Sequence, residues 1–448
     1  MIKRMILMLG MAAMFCTGLL AETLNLEQAR TLALANSRSL AKYSLSIQSS
    51  ILDERIQLYN MLPSISAGYS ASMDYLNQNW GLVNPIDTFN AGASVSVTQK
   101  IFEGGKSFIQ KELSSIATET VRKEALAGYF NVLDTLDTAY YSALEAAMNL
   151  DAAESTLQTA VLSLSIAEIR LASGMLNQGD YLKALADKES RENSRNQARR
   201  NLSLAQSKLK SLTGIAELPE LEPVDFDSYE HALRYLSDIS DDDADALYER
   251  FFALLVQSNP SLACAALNSK RAEKNLSLAR RDTAPTISAT LFSGDISWST
   301  EEGFGSVSGG RISLRGSIPI DFWVLGNKIK KSKIAVNTAA LDYINAESSL
   351  ETELQSALIG VFAQAGSVLS SRRAVEYTEK HLEYTMERYR LSQSSVSDLS
   401  DATALAGSNR LQLIRAEYGF LQSLSKLRSL GAIDDEEKLL EILTEVSP

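Results

Sequence analysis

The chain has 448 residues, 45% of them hydrophobic, with only 8 prolines and 23 glycines and a formal net charge of −12. The acidic balance excludes a nucleic-acid partner held by charge, because no basic surplus is present to neutralise phosphates. So few helix breakers over such a length predict long helices.

The N-terminus carries a basic pair, Lys3 and Arg4, then an apolar run from Met5 to Leu20 and the small residue Ala21. This layout predicts a secretory signal peptide over residues 1–21, since the run is too short for a spanning helix. Cys16 follows Phe15, a poor fit to lipoprotein processing. No later stretch of about 20 apolar residues occurs, so no transmembrane helix is expected in the mature chain. Removal of the signal leaves Cys264 as the one cysteine, and no intramolecular disulfide can form.

A first repeat is expected over 22–215. Leu32, Leu40, Ile47, Ile51 and Leu58 recur at mostly helical spacings from Leu26 to about Asn60, until Pro63 ends the helix. The period then changes to two. Ile65, Ala67, Tyr69, Ala71 and Met73 alternate with serines and Gly68, predicting a strand at about 64–76; Phe89 to Val97 alternate likewise, predicting one at about 88–101. From Lys106 to about Ala172 there is no proline, and Phe130, Leu133, Leu136, Tyr140 and Leu144 stand three or four apart. Such a helix is about 100 Å long. Gly174 interrupts it, and Leu182 to Leu212 runs back to Gly214.

Residues 216–245 form an acidic segment containing Asp241-Asp242-Asp243, readable either as a mid-body appendage or as a solvated linker. A second repeat spans 246–433. It has a helical segment from Asp245 to about Asp282, strands at about 286–298 and 307–320, and helices at Lys328–Leu391 and Asp398–Leu430. Residues 434–448 form a tail.

The two repeats align at a fixed spacing of 222 residues. Ser39-Leu40-Ala41 recurs as Ser261-Leu262-Ala263, Pro63-Ser64-Ile65-Ser66-Ala67 as Pro285-Thr286-Ile287-Ser288-Ala289, and Lys106 as Lys328. Glu27 and Leu32 match Glu249 and Leu254 at that spacing too. A register held this far identifies an internal duplication.

The alternating segments fit a soluble sheet with one wet face, or a membrane barrel with lipid outside and water inside. Tyr75, Trp80, Phe89, Phe102, Trp298, Phe322 and Trp323 lie at or beyond strand ends, as aromatic girdles do, and export favours the barrel. Four strands cannot close one, since bacterial membrane barrels need at least about eight and lipid tolerates no open edge. A membrane location therefore requires several chains to share a barrel.

The order signal, helix, hairpin, helix, helix, twice over, resembles the TolC-type outer-membrane efflux proteins. The resemblance is carried by Leu26-Glu27-Gln28-Ala29, by Asn60 to Ile65, by Ile101-Phe102-Glu103-Gly104-Gly105-Lys106, and by the inter-helix turns at Gly174 to Ala184 and Ser394 to Thr403. It covers nearly the whole mature chain. It implies a mostly helical protein with a membrane β-barrel: a homotrimer sharing a 12-stranded barrel that continues into a long α-helical barrel across the periplasm. The implied partners are a periplasmic adaptor protein, an inner-membrane transporter and outer-membrane lipid. The implied role is a passive exit duct for efflux or type I secretion.

Asp398 and Asp401 lie one helical turn apart, so both carboxylates can face one way. The resemblance implies that they line a pore constriction, where a three-fold axis would stack them into two acidic rings able to bind and be blocked by divalent cations. A second reading makes Asp398 a helix cap. Asp180 and Tyr389 match, by resemblance, a pair that holds the entrance closed, while Ser394 stands where that network would have an arginine. Asp180 is also readable as a surface carboxylate and Tyr389 as helix packing. Arg311 and Arg315 fall on the polar face of a strand and are expected in the barrel lumen, since lipid would reject them at about 2–4 kcal/mol.

Enzyme readings find no constellation. His231 and His381 lie in separate segments without further ligands, and Gly104-Gly105-Lys106 lacks the Walker spacing. No cofactor or metal is expected. The alternative function is a periplasmic coiled-coil adaptor or structural protein without a pore, which the period-two hairpins oppose.

Overall fold

A proline cannot continue a helix, and in both halves of the chain it stands immediately before a strand, at Pro63 and Pro285. A computed structural model describes residues 23–74, 88–293, 296–299, 303–307 and 310–444. The expected signal peptide (residues 1–21), Tyr75, Trp80 and residues 445–448 lie outside them, as do the side chains of Phe89 and Trp298.

In chain order the elements are β1 (Thr23–Leu24), α1 (Leu26–Asn36), α2 (Arg38–Tyr59), β2 (Ser64–Asp74), β3 (Thr88–Phe102), α3 (Lys106–Ala172), α4 (Gln178–Thr213) and β4 (Glu220–Leu221). After a short 3-10 turn at Phe226–Tyr229 come α5 (Glu230–Ser237), α6 (Asp241–Ser258), α7 (Pro260–Arg281), β5 (Thr286–Phe292), β6 (Ile296–Ser299), β7 (Gly303–Val307) and β8 (Arg311–Ser317). The chain then runs through α8 (Phe322–Arg390), α9 (Val396–Gly431) and α10 (Glu436–Thr444).

The first helical segment of each repeat is two helices rather than one. Ser37 and Asn259, 222 residues apart, separate them by capping the next helix: the Ser37 hydroxyl accepts from Leu40 N at 3.3 Å, and Asn259 Oδ1 accepts from Leu262 N at 3.0 Å. The strands of the second repeat are also divided, into β5 and β6, and into β7 and β8.

The described residues form two compact units, to both of which α3 and α8 contribute. One unit comprises Tyr43–Glu124 and Ala263–Ala346 and holds the sheet. β2 pairs antiparallel with β3 over its whole length; β3 pairs on its other side with β5 and β6; β5 pairs with β8 and β6 with β7. The register Ala67↔Val95, Val97↔Leu291 and Leu291↔Ile312 makes one continuous apolar face. Tyr69 is 94% exposed there, Ile312 79% and Leu314 72%. The opposite face carries hydroxyls: Ser66 and Ser96 share a hydrogen bond of 2.8 Å, and Thr98 and Thr290 one of 3.2 Å. Among the described residues, the outer edges of β2 and β8 have no strand partner.

At the helical end of the sheet the two repeats converge. Gly104 turns with φ +63°, and a side chain there would run into Ala284. Asp282 accepts Lys106 Nζ at 2.9 Å and Lys328 Nζ at 4.0 Å, so equivalent lysines of the two copies share one carboxylate.

The other unit comprises residues up to Lys42, Ala125–Leu262 and those from Glu347 onward. Its long helices pack by small and apolar side chains, Leu136, Ala143, Leu354, Val361, Ala365 and Leu424 being buried. The acidic segment after Gly214 is folded rather than a free linker. β4 lies parallel to β1, Leu233 and Leu236 of α5 are buried, and Phe226 and Tyr229 meet Tyr418 and Phe420 edge to face at 5.7 and 6.3 Å. The tail supplies α10, whose Glu436 accepts the Tyr229 hydroxyl at 2.7 Å. Asp137, fully buried, takes two bonds of 2.9 Å from Arg30, one of 2.6 Å from Arg428 and one of 3.0 Å from Ser425. No helix among the described residues is long and apolar enough to cross a membrane.

Candidate functional site

The turns joining α3 to α4 and α8 to α9 hold four of the six residues singled out by the sequence. Each turn closes by the same main-chain pattern. Gly174, φ +73°, donates to Leu171 O at 3.1 Å, and Met175 N reaches Arg170 O at 2.8 Å. Ser392, φ +63°, donates to Tyr389 O at 3.0 Å, and Gln393 N reaches Arg388 O at 2.8 Å. Here the equivalent residues are 218 apart, not 222: Gly174 with Ser392, Asn177 with Ser395, Asp180 with Asp398, Gly214 with Ala432. The second copy is shorter by four residues, one helical turn, between Lys328 and Arg388. α9 accordingly runs through Gly431 and is capped by Ala432, φ +51°.

The equivalence explains what Asp180 and Asp398 do locally. Each is the third residue of its helix, where a carboxylate meets free backbone N–H groups. Asp180 N donates to Asn177 Oδ1 at 2.8 Å, and Asn177 Nδ2 donates to the Asp180 carboxylate at 2.6 Å. Asp398 Oδ2 accepts from Ser395 N at 2.9 Å and from the Ser394 hydroxyl at 3.1 Å. The Ser395 backbone and side-chain bonds, then Ser394, hold the Asp398 carboxyl below the usual carboxylate range. Ser394, which stands where the resemblance has an arginine, is thus part of this cap.

The copies then part. One turn further on, the first has Lys183, whose Nζ is 3.9 Å from Asp180, and the second has Asp401. Both Asp398 and Asp401 are exposed, so the second turn presents two carboxylates one helical turn apart where the first is neutral.

Tyr389 and Asp180 are not hydrogen-bonded to each other. Tyr389 is fully buried with Ala167, Ala184, Val396 and Leu399, and its hydroxyl donates to Ser163 O at 3.2 Å. Its partner is a residue that sequence reasoning missed. Arg170, from the first copy, lies with Cζ 4.5 Å from the Tyr389 ring centroid and donates Nη2 to the Tyr389 carbonyl. An arginine in the last turn of a helix reads from sequence as a partner of the helix dipole. Its equivalent, Arg388, is turned outward over Tyr384 at 5.8 Å and donates to Gln393 O.

Arg311 and Arg315 are elsewhere, on exposed β8, on the face opposite Ile312 and Leu314. Arg311 lies over the ring of its cross-strand neighbour Phe292 at 5.8 Å. Among the described residues, no three His, Cys, Asp or Glu side chains form a group able to hold a metal ion.

Comparison with known proteins matches the outer membrane efflux protein family to residues 29–215 and 253–432. Outer membrane protein TolC of Escherichia coli K12 is 22% identical over 405 residues, 85% of this chain and 76% of that protein. Among solved structures, a membrane protein from Pseudomonas aeruginosa superposes with a TM-score of 0.77 at 18% identity, covering 92% of this chain and 90% of that one. The Campylobacter jejuni CmeC outer membrane channel gives 0.74 at 16% identity, over 94% and 89%.

Proposed function

We propose, from the premise that this chain belongs to the outer membrane efflux protein family and is an exit duct of the outer membrane, that three copies build the duct and that its entrance is gated at the inter-helix turns. The observation that carries the reading is the sheet. One face is apolar and exposed, the other is lined by hydroxyls, Arg311 and Arg315, and among the described residues both outer edges are open. An open edge is not tolerated in hydrocarbon, so neighbouring copies supply the missing strands. Four strands from each of three chains give twelve, enough for a water-filled barrel with the arginines facing the lumen. The alternative of a coiled-coil adaptor without a pore leaves the exposed apolar face unexplained.

The duct is a passive conduit. A periplasmic adaptor protein and an inner-membrane transporter deliver its cargo and supply the energy, and both would meet it at the turns. There Asp398 and Asp401, repeated by the three-fold axis, form acidic rings that favour cations. Because the Asp398 carboxylate is already bonded to its own helix start, Asp401 is the freer ligand of the two. Asp180 shapes the first turn as a cap, and Tyr389 holds the two turns together through Arg170.

The test is conductance in planar bilayers. Wild-type channels should be blocked by divalent cations from the periplasmic side. Asp398→Asn, which retains an acceptor for the cap, combined with Asp401→Asn should abolish the block. Block that persists in the double variant removes the acidic rings, while the absence of any channel removes the pore itself.

A further inference from the structure

The start of α8 carries a charge that neither the sheet nor the turns employ. In a chain of net charge −12, Lys328, Lys330, Lys331 and Lys333 fall within six residues. Lys328 shares Asp282 with Lys106; Lys330, Lys331 and Lys333 are exposed and form no ion pair among the described residues. Repulsion among the three unpaired lysines is a cost unless something anionic offsets it.

Exposed apolar residues lie five to ten positions before Lys328. β8 ends at Ser317, and Ile318, Ile320, Phe322 and Trp323 come next, Phe322 at 67% and Trp323 at 72% exposure. At 100° per residue, Lys330 and Lys333 fall between Phe322 and Trp323 on one face of the helix. At 1.5 Å per residue they stand about 10–17 Å along its axis from the aromatic pair. An aromatic ring pair at the end of a membrane strand sits at headgroup level. The lysine stems then reach back from just outside the hydrocarbon to the phosphate layer, their tips within about one Debye length of it.

We propose that this face of α8 is a docking surface for anionic phospholipid headgroups of the periplasmic leaflet. The inference rests on the outer-membrane reading above and goes beyond it by naming the lipid class. Charge complementarity selects the occupant: a zwitterionic headgroup offers no net charge to Lys330 and Lys333, or to Lys331 beside them, whereas each lysine near an anionic surface strengthens binding several-fold. The first copy carries less of this charge. The residues 222 before Lys330 and Lys331 are Phe108 and Ile109, Lys111 stands 222 before Lys333, and Lys106 and Lys328 share Asp282. The pair of lysines on one helix face therefore belongs to the second repeat alone, giving three such patches around a trimer.

The test uses the full mature protein reconstituted in vesicles of phosphatidylethanolamine and phosphatidylglycerol at three to one. Trace spin-labelled analogues of each lipid report their relative association with the protein. Wild type should prefer phosphatidylglycerol by roughly tenfold at low salt. The preference should fall below about threefold in K330Q/K331Q/K333Q and in 0.5 M salt, with channel conductance unchanged. Absence of a preference in conducting wild-type protein overturns the proposal. So does a preference that survives in the triple variant, the result expected if a second copy of the chain covers these lysines. Failure to insert or conduct at all overturns the duct reading as well, and so is distinct from loss of lipid preference in a working channel.

Discussion

Replacing Arg170 by alanine removes two interactions at once from the junction of the turns. Arg170 is only 8% exposed; its guanidinium stacks on the Tyr389 ring at 4.5 Å and donates to the Tyr389 carbonyl. A desolvated cation–π contact is worth about 2 kcal/mol, and a hydrogen bond from a charged donor about 1.5–3 kcal/mol. The carbonyl keeps a second donor, Ser392 N at 3.0 Å, so no orphaned acceptor adds to the loss. About 3.5–5 kcal/mol should therefore leave the contact between α3 and α8. If the contact is made only in the closed entrance, the open population should rise by roughly 400- to 5,000-fold. Tyr389→Phe removes only the hydroxyl bond to Ser163, about 1 kcal/mol, and should raise it by about fivefold. Arg170→Lys keeps the charge but loses the planar stack and should fall between the two. Open probability in planar bilayers, read beside thermal unfolding of the same preparations, is the assay. A lowered unfolding temperature with unchanged open probability in Arg170→Ala would refute the gating role and leave a purely structural contact. No change in either would refute the energetics.

Three further outcomes are expected from the geometry. Asp137→Asn leaves the Arg30 and Arg428 guanidiniums buried without their counter-charge and should cost about 3–5 kcal/mol in denaturant unfolding; a loss under about 1 kcal/mol would mean that the site relaxes or hydrates. Ser392→Gly relieves a left-handed non-glycine turn, so stability should rise by about 0.5–1 kcal/mol, and no gain would show Ser392 to be unstrained. Burial, with Glu124 adding to it, pushes the Cys264 thiol up to about 11, so its alkylation in the folded protein should be roughly 100-fold slower at pH 8 than in denaturant and should accelerate with every unit towards pH 11. Comparable rates in the two states at pH 8 would contradict that environment.

The sequence carries those parts of the fold that depend on neighbours along the chain. Proline before each strand, alternation within it and glycine after the first hairpin are local signals, and the duplication doubles them. Features that depend on residues far apart are not legible there. Arg170 and Tyr389 are 219 positions apart, and nothing in either segment names the other. The folding of the acidic segment against α9 and α10 likewise rests on Phe226 and Tyr229 meeting Tyr418 and Phe420, aromatic contacts without a periodic signature. The change of spacing from 222 to 218 falls inside an uninterrupted helix, where no turn residue marks a deletion. Asp398 is open to two readings, and its cap geometry is compatible with both, because a carboxylate bonded to its own helix start can still face a pore.

That missing helical turn limits how these long arms can change length. Four residues advance a helix by about 6 Å and rotate it by about 400°, so the helix beyond them is turned by only about 40° and the apolar stripe still meets its neighbours. Two residues would turn it by about 200° and present charged side chains to the core. The arms are thus adjustable only in steps close to whole turns, and seven residues, with a phase error of about 20°, make the smoothest step. Two copies of one gene segment have drifted by one such step and still close at a common turn. An engineer wishing to lengthen the duct should add heptads to both helices of a pair and leave the turns alone.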